Sequence, residues 1–476
     1  MRPSPGLPHS TPEEQGVPSP AVRALLARWE GRGLEPHSVS IVRHGHVVAE
    51  GSWAPYHRAG RQLVYSVSKT FTACAVGLAV DEGLLRLQDR VVDLFPEAAP
   101  LAGPRAAALT LHDLLAMRTG HRADSLVWRE SRPATFPETF LGTEPEEDPG
   151  WFVYHNGATL MAGLAVQRRS GQRLLDYLTP RLLEPLGVSD AAWSGEDGLD
   201  AGYSGLHVPT HALSHLGELL MRDGVWHGRR LLPQGWVSLM TTAHTDTTHH
   251  PETVDWQQGY GYQMWRCRHD AVRADGAYGQ FSVVVPGADL VVALTSCTDR
   301  TQETLDAIWE ELLPALSDAP LPPDPDAHGE LTRHLAGARL GAEGSRAPAP
   351  GDGPWAFTHA PTEDVPALTG VLVHRAPHGP GWSLTLLEGD AELEVPCSDG
   401  AWPDPAGAPW VASGGWTQAG AFSARVAAVE TPHALLVHCA DGVATARWNG
   451  IPLTAPVLGT LLAPGPRDGG AVTWSR

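Results

Sequence analysis

The sequence predicts an α/β (α+β) protein: an antiparallel sheet flanked by helices and interrupted by a helical insert, then a small C-terminal antiparallel β-barrel or sandwich. Three observations predict it. Hairpin patterns occur at residues 38–53 and again at 281–295, and helical periodicity dominates residues 109–240 between them. From Trp355 onward, short β-type runs recur without helical spacing. Strands at both ends of a helical stretch are expected to join in one sheet that the helices cover.

Each element has a local cause. In the first hairpin, Val39, Ile41 and Val42, then Val47 and Val48, flank His44-Gly45. Phe71, Cys74, Leu78 and Ala79 recur at helical spacing until Glu82-Gly83 closes the helix, which puts Ser66 at or near its N-terminus. Thr110 with Asp113 reads as a capping pair, and Gly120 and Gly171 read as stops. Thr210 opens a helix with the apolar face Leu213, Leu216 and Leu220. The second hairpin, 281–285 and 290–295, turns at Pro286-Gly287, and residues 301–313 return to a helix.

Residues 318–350 begin and end in Pro, Gly and Asp clusters and read as a linker with one short helix near 331–340. Beyond it, β-type runs stand at 369–374, 382–387, 421–429, 434–439 and 443–448, separated by turn residues. The expected division is therefore 1–316, a linker at 317–353, and a β-rich domain at 354–476, since single cores stop growing near ~250 to 300 residues.

Composition narrows the function. Of 476 residues, 42% are apolar and 18% charged, the profile of a globular chain with a sizeable core. A formal net charge of −20 argues against nucleic-acid partners, which are held by basic patches. No run approaches ~18 consecutive apolar residues, and residues 1–16 lack the apolar core of a signal peptide, so a cytoplasmic protein without a membrane partner is expected. The five cysteines are too scattered, and odd in number, for a disulfide framework.

The chain carries a single lysine, Lys69, three residues after Ser66 in the run Tyr65-Ser66-Val67-Ser68-Lys69-Thr70. Arginine in place of lysine elsewhere fits the coding bias of a GC-rich bacterium, which makes the surviving lysine informative. An ammonium can lose its proton when burial lowers its pKa, whereas guanidinium does not. Residues three apart share a helix face, and a helix N-terminus favours an alkoxide, so Ser66 with Lys69 is a candidate nucleophile with its proton partner. The bland alternative is a helix-capping serine beside a solvated lysine. Tyr154-His155-Asn156, ahead of an apolar helix, adds a phenol whose pKa an ammonium would lower and an amide that could orient an acyl group. The stretch 273–280 (RADGAYGQ) adds small residues where a substrate carbonyl could approach an edge strand.

Together these motifs resemble the serine β-lactamase and penicillin-recognising superfamily, in its class C β-lactamase, esterase and D-aminopeptidase branch. The resemblance also rests on Asp81-Glu82-Gly83-Leu84-Leu85 and on Leu111 to Gly120 (LHDLLAMRTG), similar to the family's "LLxHTSG" segment. Glu184-Pro185-Leu186-Gly187 and residues 224–232 (GVWHGRRLL) match further family phrases. It implies a β-lactamase/transpeptidase-like fold with a lipocalin-like C-terminal barrel. It also implies a serine hydrolase acting on a small-molecule or peptide ester or amide, without a cofactor. Ser66 would be acylated, Lys69 would be its proton partner and Tyr154 the general base. Asn156 would contact substrate, and the backbone N–H groups of Ser66 and Ala277, beside Gly276, would form the oxyanion hole. One departure stands out: where the family reads Lys-Thr-Gly or His-x-Gly, this chain reads Ala274-Asp275-Gly276, which points away from β-lactam carboxylates.

Three other readings are weighed against hydrolysis. An acyltransferase or peptide cyclase of the penicillin-binding-protein type would use the same acyl-enzyme. A non-catalytic sensor would be acylated without turnover. A metal enzyme would use His211 with His215, or His244, His249 and His250, but no carboxylate-completed motif accompanies them among 23 histidines.

Overall fold

A computed structural model of the chain describes residues 6–127, 132–250, 253–344, 347–377, 381–405, 407–454 and 456–465. β1 (Pro36–Arg43) and β2 (His46–Ser52) form the first hairpin, turning at His44 and Gly45, whose φ angles are 51° and 74°. β3 (Trp265–Arg266), β4 (Val272–Gly276), β5 (Gln280–Val285) and β6 (Leu290–Ser296) come from far along the chain. The sheet order is β3-β4-β5-β6-β1-β2, antiparallel throughout, with Val39 opposite Leu294. The two distant stretches thus close into one sheet, as expected.

Both faces of that sheet are covered, which is why its strands read as continuous apolar runs rather than alternating ones. Val284, Val291 and Ala293 join the core that holds α2 (Val67–Asp81), α4 (Asn156–Ser170) and α5 (Thr210–Met221). Their neighbours Val283, Val292 and Leu294 point the other way, into a core with α1 (Ser19–Gly31), α6 (Thr301–Ala307) and α7 (Pro325–Ala336). α3 (Leu111–Leu115) opens with the expected reciprocal cap between Thr110 and Asp113. It stops at Leu115, however, and not at Gly120. Gly120 serves a different need: its φ is +80°, and a Cβ there would lie 2.2 Å from the Glu147 carbonyl oxygen. The helix expected near 331–340 starts earlier, at Pro325, because the Asp324 side chain caps the Ala327 N–H at 3.0 Å.

The C-terminal strands β7 (Trp355–His359), β8 (Leu368–Arg375), β9 (Trp382–Glu388), β10 (Ala391–Ser398), β11 (Trp410–Trp416), β12 (Phe422–Ala428), β13 (Ala434–Ala440) and β14 (Val443–Trp448) close into a barrel. Two antiparallel meanders, β7 to β10 and β11 to β14, meet at two parallel junctions, β10 with β11 and β14 with β7. Trp382, Trp416, Phe357 and Phe422 pack in its interior, Trp416 and Phe422 with centroids 5.4 Å apart. Among the described residues no helix is long and apolar enough to cross a membrane.

α5 lies close to the sheet because Gly217 lets it. A Cβ at Gly217 would meet Val291 Cγ1 at 2.4 Å and Ser282 Oγ at 2.8 Å. Gly217→Ala would gain about 1 kcal/mol of helix propensity but overpack the interface by about 1–3 kcal/mol. A net fall of a few degrees in the first thermal transition is expected by differential scanning fluorimetry.

Candidate active site

The chain enters α2 through a sharp bend. Tyr65 has φ 46°, in the left-handed region, and Ser68 holds the bend by donating to the Tyr65 carbonyl at 2.5 Å and accepting from the Leu206 N–H at 3.1 Å. Ser66 occupies the N-cap position, yet its hydroxyl makes no cap to the helix. That removes the bland reading of a capping serine. α2 is apolar on all sides and buried from Val67 to Ala79, so it is a core helix presenting Ser66, which is only partly exposed, at one end.

Lys69 is 1% exposed. Its Nζ donates to Ser66 Oγ at 3.1 Å, to Asn156 Oδ1 at 2.6 Å and to the Tyr203 carbonyl at 2.8 Å. Burial lowers its pKa to about 7, against the opposing pull of Asp124 and Asp275. Asn156 is oriented by Asp124, whose carboxylate takes Asn156 Nδ2 at 2.8 Å and the N–H groups of Asn156 and Gly157 at 3.0 Å each. A carboxylate only accepts, so the amide nitrogen faces Asp124 and the oxygen faces Lys69. Asp124 thus sits on the N-terminus of α4, where anions are favoured. His155, buried, caps the same helix by accepting from the Ala158 N–H at 2.9 Å.

Tyr154 lies with its ring centroid 4.9 Å from Lys69 Nζ and its ring stacked on Trp265 at 5.7 Å. Its pKa is raised, not lowered as an adjacent ammonium would suggest. Burial dominates, and Asp275 and Asp124 add to it, outweighing the lowering effects of Ser66 and Arg273. The phenol therefore keeps its proton at neutral pH.

Gly276 ends β4 beside the bend: a Cβ there would lie 2.3 Å from the Val64 carbonyl oxygen, so only glycine fits. Ala277 follows in the β4–β5 turn, and the Tyr278 ring lies 5.6 Å from that of Tyr65. Ala274 is buried against the α2 side of the sheet. Arg273 does not replace the missing family cation, because it is fully buried. It bonds Asp275 at 2.7 Å, the Asp255 carbonyl at 2.7 Å and Cys267 at 2.9 Å, with its guanidinium 4.1 Å from the Trp256 ring.

The structure thus gathers Ser66, Lys69, Tyr154 and Asn156, with Gly276 and Ala277 alongside. Sequence reasoning missed Asp124 and the Tyr203 carbonyl. Elsewhere, His215 lies 2.7 Å from the Leu186 carbonyl oxygen, His244 2.8 Å from that of Leu239 and His249 3.2 Å from that of Phe152. Among the described residues no three His, Cys, Asp or Glu side chains are arranged to hold a metal ion, and all five cysteines are buried and unbridged.

A family model described as Beta-lactamase matches residues 23–316. The chain belongs to the β-lactamase family. It is a serine hydrolase of that family. It is 26% identical over 320 residues to a 6-aminohexanoate-dimer hydrolase of Paenarthrobacter ureafaciens, covering 61% of this chain and 80% of that one. Among solved structures it is similar to EstCE1, a hydrolase with promiscuous acyltransferase activity, with TM-score 0.52, 16% identity, and 61% and 98% of the two chains covered. The octameric penicillin-binding protein homologue from Pyrococcus abyssi is similar over more of this β-lactamase-family chain, 90% of it and 99% of its own length, with TM-score 0.51 and 15% identity.

Asp124 stabilises the charged form of Lys69, so removing its charge lowers that pKa further. Asp124→Asn is expected to move the acid limb of the pH–kcat/KM profile to lower pH. The same profile should lose height, because Asn156 loses an oriented partner; an unmoved limb would refute the coupling.

Proposed function

We propose that the protein hydrolyses an ester or amide bond through an acyl-enzyme at Ser66. The observation that carries this reading is Lys69 Nζ, buried, 3.1 Å from Ser66 Oγ, with a pKa near neutrality. Neutral Lys69 takes the Ser66 proton as Oγ attacks the substrate carbonyl. The backbone N–H groups of Ser66 and Ala277 receive the oxyanion. Tyr154, protonated and with its ring 4.9 Å from Lys69 Nζ, passes a proton to the leaving alcohol or amine and is replenished from the Lys69 ammonium. Water then attacks the acyl-enzyme by the reverse route. In this reading Lys69 is the first proton acceptor, and Tyr154 is a relay rather than the general base.

The substrate carries no carboxylate where a β-lactam has one, since Ala274 and the Arg273–Asp275 pair offer no cation there. Acyl transfer, a promiscuous activity of EstCE1, would begin from the same acyl-enzyme, here with an amine as acceptor. The two separate by product ratio when an amine competes with water; hydrolysis alone at high amine concentration eliminates transfer.

Intact mass after treatment with a fluorophosphonate should show one adduct, absent in Ser66→Ala; no adduct on folded protein would sink the reading. The base must be unprotonated, so kcat/KM should rise with pH through about 7 and level off above it. Lys69→Arg keeps the charge at every pH, so it should lower kcat/KM on a p-nitrophenyl ester by about 10²- to 10⁴-fold.

A further inference from the structure

We propose that the C-terminal barrel holds the oxyanion hole in place, gripping its two backbone donors through Tyr65 and Tyr278. The proposal rests on the reading of Ser66 and Ala277 as those donors. Tyr65 immediately precedes Ser66, and Tyr278 immediately follows Ala277. Both have left-handed backbones, φ 46° and 64°, which non-glycine residues disfavour and which persist only where the surroundings hold them.

In each case the holding group belongs to the barrel. The Tyr65 hydroxyl is hydrogen-bonded to His433 Nε2. His433 Nδ1 lies 2.7 Å from the Gly450 carbonyl oxygen. A carbonyl only accepts, so Nδ1 carries the ring proton and Nε2 accepts from the phenol. The Tyr278 hydroxyl donates to the Ile451 carbonyl, and its ring lies against Gly450, where a Cβ would be 3.0 Å from Cε1. Tyr65, Tyr278 and His433 pack mutually, with centroids 5.6, 5.8 and 5.2 Å apart. A third strut, from the Leu63 N–H to the Glu430 carbonyl at 2.8 Å, fixes the approach to the bend.

A barrel that merely docks could anchor anywhere on the main sheet. Here, two separate loops of the barrel reach the two residues that flank the N–H groups needed for the oxyanion. His433 and Ile451 touch no reacting atom in this arrangement; they are positioning groups. Displacing an oxyanion donor by even about 1 Å is expected to cost roughly 10²-fold in rate.

The test uses full-length protein. Tyr278→Phe, His433→Leu and His433→Gln are compared with wild type on a p-nitrophenyl ester, with active sites titrated by fluorophosphonate so that misfolded protein is not counted. An alkyl boronic acid, which forms a tetrahedral adduct, serves as a second readout. Expected are a kcat per titrated site lower by about 10- to 100-fold in Tyr278→Phe and His433→Leu, KM within about twofold, and boronate affinity weakened in parallel. His433→Gln should recover much of the loss, since its amide oxygen can accept the Tyr65 proton. Unchanged kcat and boronate affinity in Tyr278→Phe and His433→Leu would overturn the proposal. Tyr278 is partly exposed and loses only a hydroxyl, so that variant decides the matter even if His433→Leu fails to fold. Failure of the underlying reading looks different: wild type itself then gives no Ser66-dependent adduct, and the clamp falls with it.

Discussion

The site depends on burying one ammonium. α2 is a core helix with apolar residues on every side, and Lys69 is placed within its first turn where water cannot reach it. Unpaired, such a charge would be intolerable; three acceptors, Ser66 Oγ, Asn156 Oδ1 and the Tyr203 carbonyl, make it tolerable without any direct carboxylate contact. That distinction sets the chemistry. A carboxylate in contact would keep the lysine charged, whereas Asp124 and Asp275 act at longer range and only temper the effect of burial. The result is an amine near neutrality, the condition under which it can both take and return a proton. Arginine at this position could not do so, which gives the single lysine of the chain its meaning.

The same balance governs Tyr154. An ammonium beside a phenol normally favours phenolate, but burial draws the Lys69 pKa down toward neutrality and weakens that attraction. Burial and two nearby carboxylates then dominate, and the phenol stays protonated. In the mechanism proposed above, two groups with well-separated proton affinities, one near neutrality and one well above it, would divide into acceptor and relay. β4 contributes to this setting: the buried Arg273 bonds Asp275 at 2.7 Å and fixes that carboxylate next to Ala274.

Much of this was legible in the sequence because it is local. The hairpins, the Thr110–Asp113 cap, the three-residue spacing of Ser66 and Lys69, and Tyr154 next to Asn156 each depend on neighbours along the chain. Asp124 was not legible: it is an isolated aspartate in a loop, and its role arises only when that loop meets the N-terminus of α4. The Tyr203 contribution is a backbone carbonyl and has no side-chain signature. β10 and β11 were missed for a related reason. β10 carries Pro396 and alternating glutamates, β11 carries Gly414-Gly415, and both are stabilised by pairing at a parallel junction that no local pattern announces. Gly120 shows the converse error, a glycine read as a helix stop when a close backbone approach required it.

Aromatic side chains pack inside the barrel, and it is the barrel's rim that meets the main sheet. Trp382, Trp416 and Phe422 occupy the space between the strands, leaving the loops around His433 and Gly450 as the surface that meets the main sheet. Those loops are themselves anchored. Glu35, immediately before β1, accepts from Asn449 Nδ2 at 2.8 Å and pairs with Arg425, and against burial the His37 hydrogen bond and Arg425 hold its pKa down at about 2. The carboxylate thus remains charged across the neutral range and ties the barrel rim to the strand that starts the sheet. Through that tie, the bend at Tyr65 and the turn at Tyr278 are braced from the same side. The precision of a site built at a helix end and a strand turn, both intrinsically adjustable, then derives from a neighbouring body too rigidly packed to adjust with them.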